Sequence, residues 1–128
     1  MKKILLFDVD GTIAESSQKI SSEMKSTLLV LREKGYELGI VGGGRYEKIM
    51  DQVDGLELDH IFAESGCVYY RQGELVYKKN IRNHVLYPKI NKIIKRALEY
   101  LANVDYEITG HFVDLRNGII YLSLIGMR

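Results

Sequence analysis

Thiols and imidazoles are scarce in this chain, which has one cysteine and three histidines in 128 residues. The lone Cys67 excludes a disulfide framework, and no Cys/His zinc site is on offer. A single free thiol suits a reducing cytoplasm. Long apolar runs are missing too, none nearing the ~18 residues of a membrane helix. The basic opening MKKILLF carries too short an apolar run for a secretory signal and ends in acids. Nor is there an excess of charge of one sign. The formal net charge is +1, suggesting neither a nucleic-acid coat nor a polyacidic binder, and the lysines are scattered rather than striped. There are no internal repeats and no low-complexity tract. What remains, 46% apolar and 27% charged, is average for a soluble globular protein and enough for one ordinary domain with a core. A cytoplasmic protein with no membrane or nucleic-acid partner is expected.

Lys3 to Val9 is a short apolar run closed by Gly11, the pattern of a strand buried on both faces. Ile20, Met24, Leu28 and Leu31 then recur at helical spacing, with Ser21 or Ser22 as cap and Gly35 at the end. A second buried strand runs to Val41 and meets three glycines. Tyr46, Ile49, Met50 and Val53 outline a short helix, and a third strand lies around His60 to Phe62. Alternating strands and helices of this kind predict an α/β fold with a parallel sheet. The pattern then changes. CVYYRQGELVY reads as a hairpin turning at Gln72-Gly73, and KKNIRNH as a linker. From Pro88, Ile90, Ile93, Ile94, Ala97, Leu98 and Leu101 line one face of a long helix. A second hairpin follows around Asn117-Gly118. Two modules are expected, 1–81 and 82–128.

Asp8 and Asp10 stand at the carboxyl end of the first strand, where α/β sheets place their active sites. Side chains at i and i+2 of a strand point the same way. The pair can face one ligand, and a cation such as Mg²⁺ would relieve their repulsion. One carboxylate can attack a phosphoryl group while the other moves protons for the leaving and entering hydroxyls. Gly11 permits a tight turn whose N–H groups can bind phosphate, and Thr12 adds a hydroxyl. The bland alternative is that both acids cap a turn, where Asp is common. An apolar strand running into D-x-D-G-T favours the chemical reading. Gly42, Gly43 and Gly44 end a strand before a helix, so they serve either as a turn or as a phosphate cradle. No G-K-[ST] follows to make a nucleotide loop. Arg116, before the Asn117-Gly118 turn, is either a solvated hairpin arginine or a phosphate clamp. Asn80 and Arg82 are either linker residues or hinge contacts.

LLFDVDGT resembles motif I of the haloacid dehalogenase superfamily, mostly Mg²⁺-dependent phosphatases and phosphomutases. The further series IVGGG before YEKI, NIRNH and FVDLRNG…IG resembles eukaryotic-type phosphomannomutases over essentially the whole chain. That resemblance implies a Rossmann-like core and an α+β cap from about Arg82. It implies that Asp8 is the nucleophile and binds Mg²⁺ by its carboxylate. Asp10 is then the general acid/base and binds Mg²⁺ by its carbonyl. The implied activity interconverts mannose 6-phosphate and mannose 1-phosphate for GDP-mannose synthesis, with a sugar bisphosphate as activator. Arg116 would hold the distal phosphate with help from Asn117 and Arg128, and a homodimer through the cap is expected.

Departures from the pattern accompany it. Gly44 stands where serine is usual, Tyr121 where asparagine is usual, and Leu124 where proline is usual. Met127 takes the place of an arginine, with Arg128 one position late, and a one-residue slip in a strand reverses facing. The family's later lysine and acidic residues, beyond the cap, have no counterpart in these 128 residues. Two classes of function are therefore expected: a phosphomannomutase or a phosphatase derived from one, or an incomplete chain that binds phosphate or sugar phosphate without turnover.

Overall fold

A computed structural model of the chain describes residues 2–127, Met127 by its backbone alone. It divides into two compact units, Met1–Lys79 and Asn80–Arg128.

The first unit is a five-stranded sheet in sequence order: β1 (Ile4–Phe7), β2 (Glu37–Val41), β3 (His60–Ala63), β4 (Val68–Arg71) and β5 (Glu74–Lys78). β1, β2 and β3 run parallel, while β4 and β5 return antiparallel, so the sheet is mixed and its parallel part is three strands wide. Two crossover helices join the parallel strands, α1 (Ser22–Glu33) and α2 (Tyr46–Val53). Ser21 caps α1, its hydroxyl accepting the Met24 amide at 3.0 Å, and Gly35 ends it at φ +96°. Right-handed crossovers between strands laid down in one direction put both helices on the same face. That face holds the core, in which Leu28 of α1 and Ile49 and Val53 of α2 meet Leu38, Ile40, Ile61, Ala63 and Val68. Each Leu, Ile or Val among them contributes roughly 1.5–3 kcal/mol when fully buried.

Neither crossover helix covers the opposite face. It carries Ile4 and Leu6 of β1, then Glu37 and Gly39, then His60 and Phe62, then Tyr69, in register across the strands. His60, 7% exposed, is held there between the Tyr69 hydroxyl at 2.6 Å and Glu37 at 2.7 Å. Among the described residues β1 pairs with β2 alone. The expectation of a first strand buried on both faces is thus corrected: Ile4 and Leu6 are 50% and 54% exposed.

The second unit has a 3₁₀ turn at Ile81–Asn83, the helix α3 (Tyr87–Ala102), and the hairpin of β6 (His111–Leu115) with β7 (Ile120–Met127). Pro88 lies in the first turn of α3, where its missing N–H costs nothing. Of the apolar face read from the sequence, Leu101 is buried, whereas Ile93 and Leu98 stay exposed.

Candidate active site

β1 delivers Asp8 to a turn organised around one carbonyl. Val9 is buried, and its carbonyl accepts the amides of Thr12, Ile13 and Ala14 at 3.2, 3.1 and 3.1 Å. Gly11 sits at φ +76°, which only glycine adopts without strain, and its amide donates to the Ala14 carbonyl at 2.8 Å. The Gly11 and Thr12 amides are therefore used inside the turn. What Thr12 has for a phosphate is its hydroxyl on an exposed residue, next to an exposed Asp8. An open cleft of about 590 Å³ runs along the turn, lined by residues 11–15 with Gln18, Lys19 and Ser21 but not by Asp8 or Asp10. Lys19 on its rim pairs with Asp51 at 3.5 Å and Asp54 at 3.3 Å.

Asp10 is built differently. Its Oδ1 accepts the Gln52 side-chain amide at 2.8 Å and the Ser17 backbone amide at 3.0 Å. The Gln52 hydrogen bond, then the one from Ser17, hold its carboxyl below the ordinary aspartate range, with the Lys48 charge adding to them against a small effect of burial. Gln52 comes from α2, is 4% exposed, and also donates to the Gln18 carbonyl at 3.2 Å. It thus ties the D-x-D-G-T turn to the loop behind it. Sequence reasoning missed Gln52, Ser17 and Lys48. The available signal was a polar residue beside Val53 on the apolar face of a short helix.

The glycine run after β2 lies beside a left-handed corner after β3. Gly42 donates to the Phe62 carbonyl at 3.0 Å, so its amide serves the sheet. The carbonyls of Gly42 and Gly44 accept the amides of Ser65 and Glu64, both at 2.9 Å. Glu64, Ser65 and Gly66 have φ of +48°, +56° and +95°, and such conformations cost non-glycine residues roughly 1 kcal/mol or more each. Gly43 lies between, and the Lys48 stem packs against Gly44.

In the second unit Arg116 is not a solvated hairpin arginine. Its Nε donates to Asp114 Oδ2 at 2.8 Å, its guanidinium lies 4.1 Å from the centre of the Tyr121 ring, and its side chain is 17% exposed. Tyr121, the departure from asparagine, is thus the platform that orients it. The Asn117 carbonyl accepts the Ile81 amide at 2.7 Å, and the Asn80 side chain accepts the Arg82 amide at 2.9 Å. Both bonds join the 3₁₀ turn to the hairpin region or to itself. Arg128 lies outside the described residues.

The groups that the family resemblance would turn toward Mg²⁺ are the Asp8 carboxylate and the Asp10 carbonyl. Among the described residues no three His, Cys, Asp or Glu side chains cluster as a metal site. An octahedral ion held there would keep most of its water, so these residues fit part of a magnesium site and do not complete one.

A D-x-D-G-T turn at the carboxyl edge of a parallel α/β sheet, with helices α1 and α2 behind it, defines a haloacid dehalogenase-like fold. Solved structures agree. A phosphatase of that superfamily from Bacteroides thetaiotaomicron superposes with TM-score 0.62 at 24% identity, over 78% of this chain and 36% of its own. A haloacid dehalogenase-like hydrolase from B. subtilis gives 0.64 at 20%, over 78% and 34%. The family model described as eukaryotic phosphomannomutase matches residues 24–128, and the chain belongs to that family. It is 38% identical to phosphomannomutase 2 of Dictyostelium discoideum and 39% identical to phosphomannomutase 1 of Homo sapiens, each over 96% of its length. It spans about half the length of these relatives, 51% and 49%.

Proposed function

We propose that this chain carries the phosphoryl-transfer end of a phosphomannomutase, moving a phosphoryl group between the 6- and 1-hydroxyls of mannose through Asp8, in the cytoplasm and in support of GDP-mannose synthesis. The observation that carries the reading is the contrast between the two acids. Asp8 is exposed beside the turn, whereas Asp10 is fixed by Gln52 and Ser17 and kept ionised. An ionised Asp10 is a base first. It takes the proton from a sugar hydroxyl as that oxygen attacks phosphorus on Asp8, the acyl phosphate P–O bond breaks, and the Asp8 carboxylate is released. In the reverse half, Asp8 attacks the other phosphate of the bound sugar bisphosphate and Asp10 returns the proton to the leaving oxygen. A mutase and a phosphatase both take Asp10 through both protonation states, so it is the family membership that favours the mutase, primed by a sugar bisphosphate. Arg116, with Asn117 near it, is the clamp for the distal phosphate, because a guanidinium fork matches a phosphate dianion. Thr12, Gly43 and Gly44 are the remaining phosphate contacts. Magnesium, when bound, would offset phosphate charge.

A second reading, binding of sugar phosphate without turnover, is favoured by the partial donor set around Asp8 and Asp10. The deciding experiment incubates the purified chain with mannose 1-phosphate, a sugar bisphosphate and Mg²⁺. Mannose 6-phosphate as product supports the mutase. Inorganic phosphate replaces it with a phosphatase, and saturable binding without product replaces it with the second reading.

A further inference from the structure

Consecutive non-glycine residues in left-handed backbone persist only where their surroundings hold them there. Directly after β3, Glu64 (φ +48°) and Ser65 (φ +56°) are such a pair, followed by Gly66 at φ +95°. The hold comes from two sides. On one, the Glu64 and Ser65 amides donate to the Gly44 and Gly42 carbonyls, both at 2.9 Å. On the other, the Tyr77 hydroxyl of β5 donates to the Gly66 carbonyl at 2.8 Å. Tyr77 is placed in turn by a row of rings that crosses the sheet. Phe62 of β3 pairs with Tyr69 of β4, and Tyr69 with Tyr77. Their ring centroids are 4.4 and 5.6 Å apart. The row begins at the glycine run, because the Phe62 carbonyl takes the Gly42 amide at 3.0 Å.

What this does to the glycine run follows from peptide planarity. In a trans peptide the C=O of one residue and the N–H of the next point in opposite directions. The Gly42 carbonyl faces Ser65 on the β3 side, so the Gly43 N–H points away from the corner. β2 lies between β1 and β3, and away from the corner is therefore toward β1, which Asp8 follows. We propose that the Glu64–Gly66 corner, braced by Tyr77, is a positioning element that aims the Gly43 N–H at a phosphate oxygen beside Asp8, an assignment that rests on the phosphoryl-transfer reading above. Tyr77 touches no reacting atom. It acts through Gly66, the corner and the Gly42 and Gly44 carbonyls. A backbone donor already aimed at its anion has no reorganisation left to make when the ligand arrives. The left-handed strain at Glu64 and Ser65 is the cost of holding that aim, and strain of this kind clusters at ligand clamps. The β4–β5 hairpin thereby gains a role in the site, as the frame that carries the brace.

Titration of the whole chain with inorganic phosphate tests this, followed by the Gly43 amide resonance and by hydrogen exchange. Tyr77→Phe keeps the ring against Tyr69 and removes only the hydroxyl's hydrogen bond to Gly66. The expected result is a saturable shift of the Gly43 amide whose affinity falls roughly three- to tenfold in Tyr77→Phe, the equivalent of one neutral hydrogen bond. The Glu64 and Ser65 amides should exchange faster in that variant while those of Leu38 and Ile40 are unchanged. A brace of merely structural effect would loosen the corner amides and leave the phosphate affinity alone, and that outcome overturns the proposal. Thr12→Val separates it from the reading beneath it. Phosphate binding weakened by Thr12→Val but not by Tyr77→Phe leaves the phosphoryl site standing and removes the positioning role. A Gly43 amide that does not respond to phosphate in the natural chain overturns both.

Discussion

Replacing Gln52 with methionine keeps the length of the side chain and removes its two donated hydrogen bonds. One goes to the ionised Asp10 at 2.8 Å, the other to the Gln18 carbonyl at 3.2 Å. A hydrogen bond to a charged group contributes about 1.5–3 kcal/mol and a neutral one about 0.5–1.5. Asp10 is exposed, so water replaces much of the lost bond and the larger figure is discounted. Gln52→Met therefore costs about 1–2 kcal/mol at pH 7. The sign with pH follows from the depressed carboxyl. A group whose folded pKa lies below its unfolded value of about 3.9 contributes fully above that value. Its contribution is lost as pH falls through the folded one. The cost of Gln52→Met should shrink between pH 7 and pH 3, read from urea midpoints, while the Asp10 carboxyl resonance titrates higher in the variant. Equal destabilisation at both pH values, with an unmoved Asp10 titration, would refute the clamp.

Three further outcomes are expected. Arg116→Ala should raise KM for the sugar phosphate more than it lowers kcat, and a pure rate loss would argue against a distal phosphate clamp. Tyr121→Leu removes the ring under that guanidinium and should weaken sugar-phosphate binding severalfold, by the ~0.5–2 kcal/mol of a cation–π contact, measured by calorimetry. Gly11→Ala places a β-carbon at φ +76° and should destabilise the first unit by about 1 kcal/mol in denaturant.

Much of the architecture was legible because its signals are local. The caps at Ser21 and Gly35, the turn at Gln72-Gly73 and the proline opening α3 each act within a few residues, and each stands where the sequence put it. The exposure of Ile4 and Leu6 was not legible, since an apolar run states what a strand prefers and not what lies beside it. The same limit hid the exposure of Ile93 and Leu98 on α3. At the site, D-x-D-G-T pointed to Asp8 and Asp10, but the side-chain partner of Asp10 lies 42 residues away on another element. The sequence left Arg116 as a solvated arginine or a phosphate clamp, and its partial burial against Asp114 and Tyr121 depends on contacts that no local pattern announced. Long-range pairing fixed what periodicity left open.

The central claim is that Asp8 accepts a phosphoryl group. The direct measurement is the intact mass of the acid-quenched chain after exposure to mannose 1,6-bisphosphate and Mg²⁺, beside Asp8→Asn. The account predicts a gain of one phosphoryl group in the natural chain and none in the variant, because a carboxamide cannot be the nucleophile. No gain in a folded natural chain, or an equal gain in both, would contradict it.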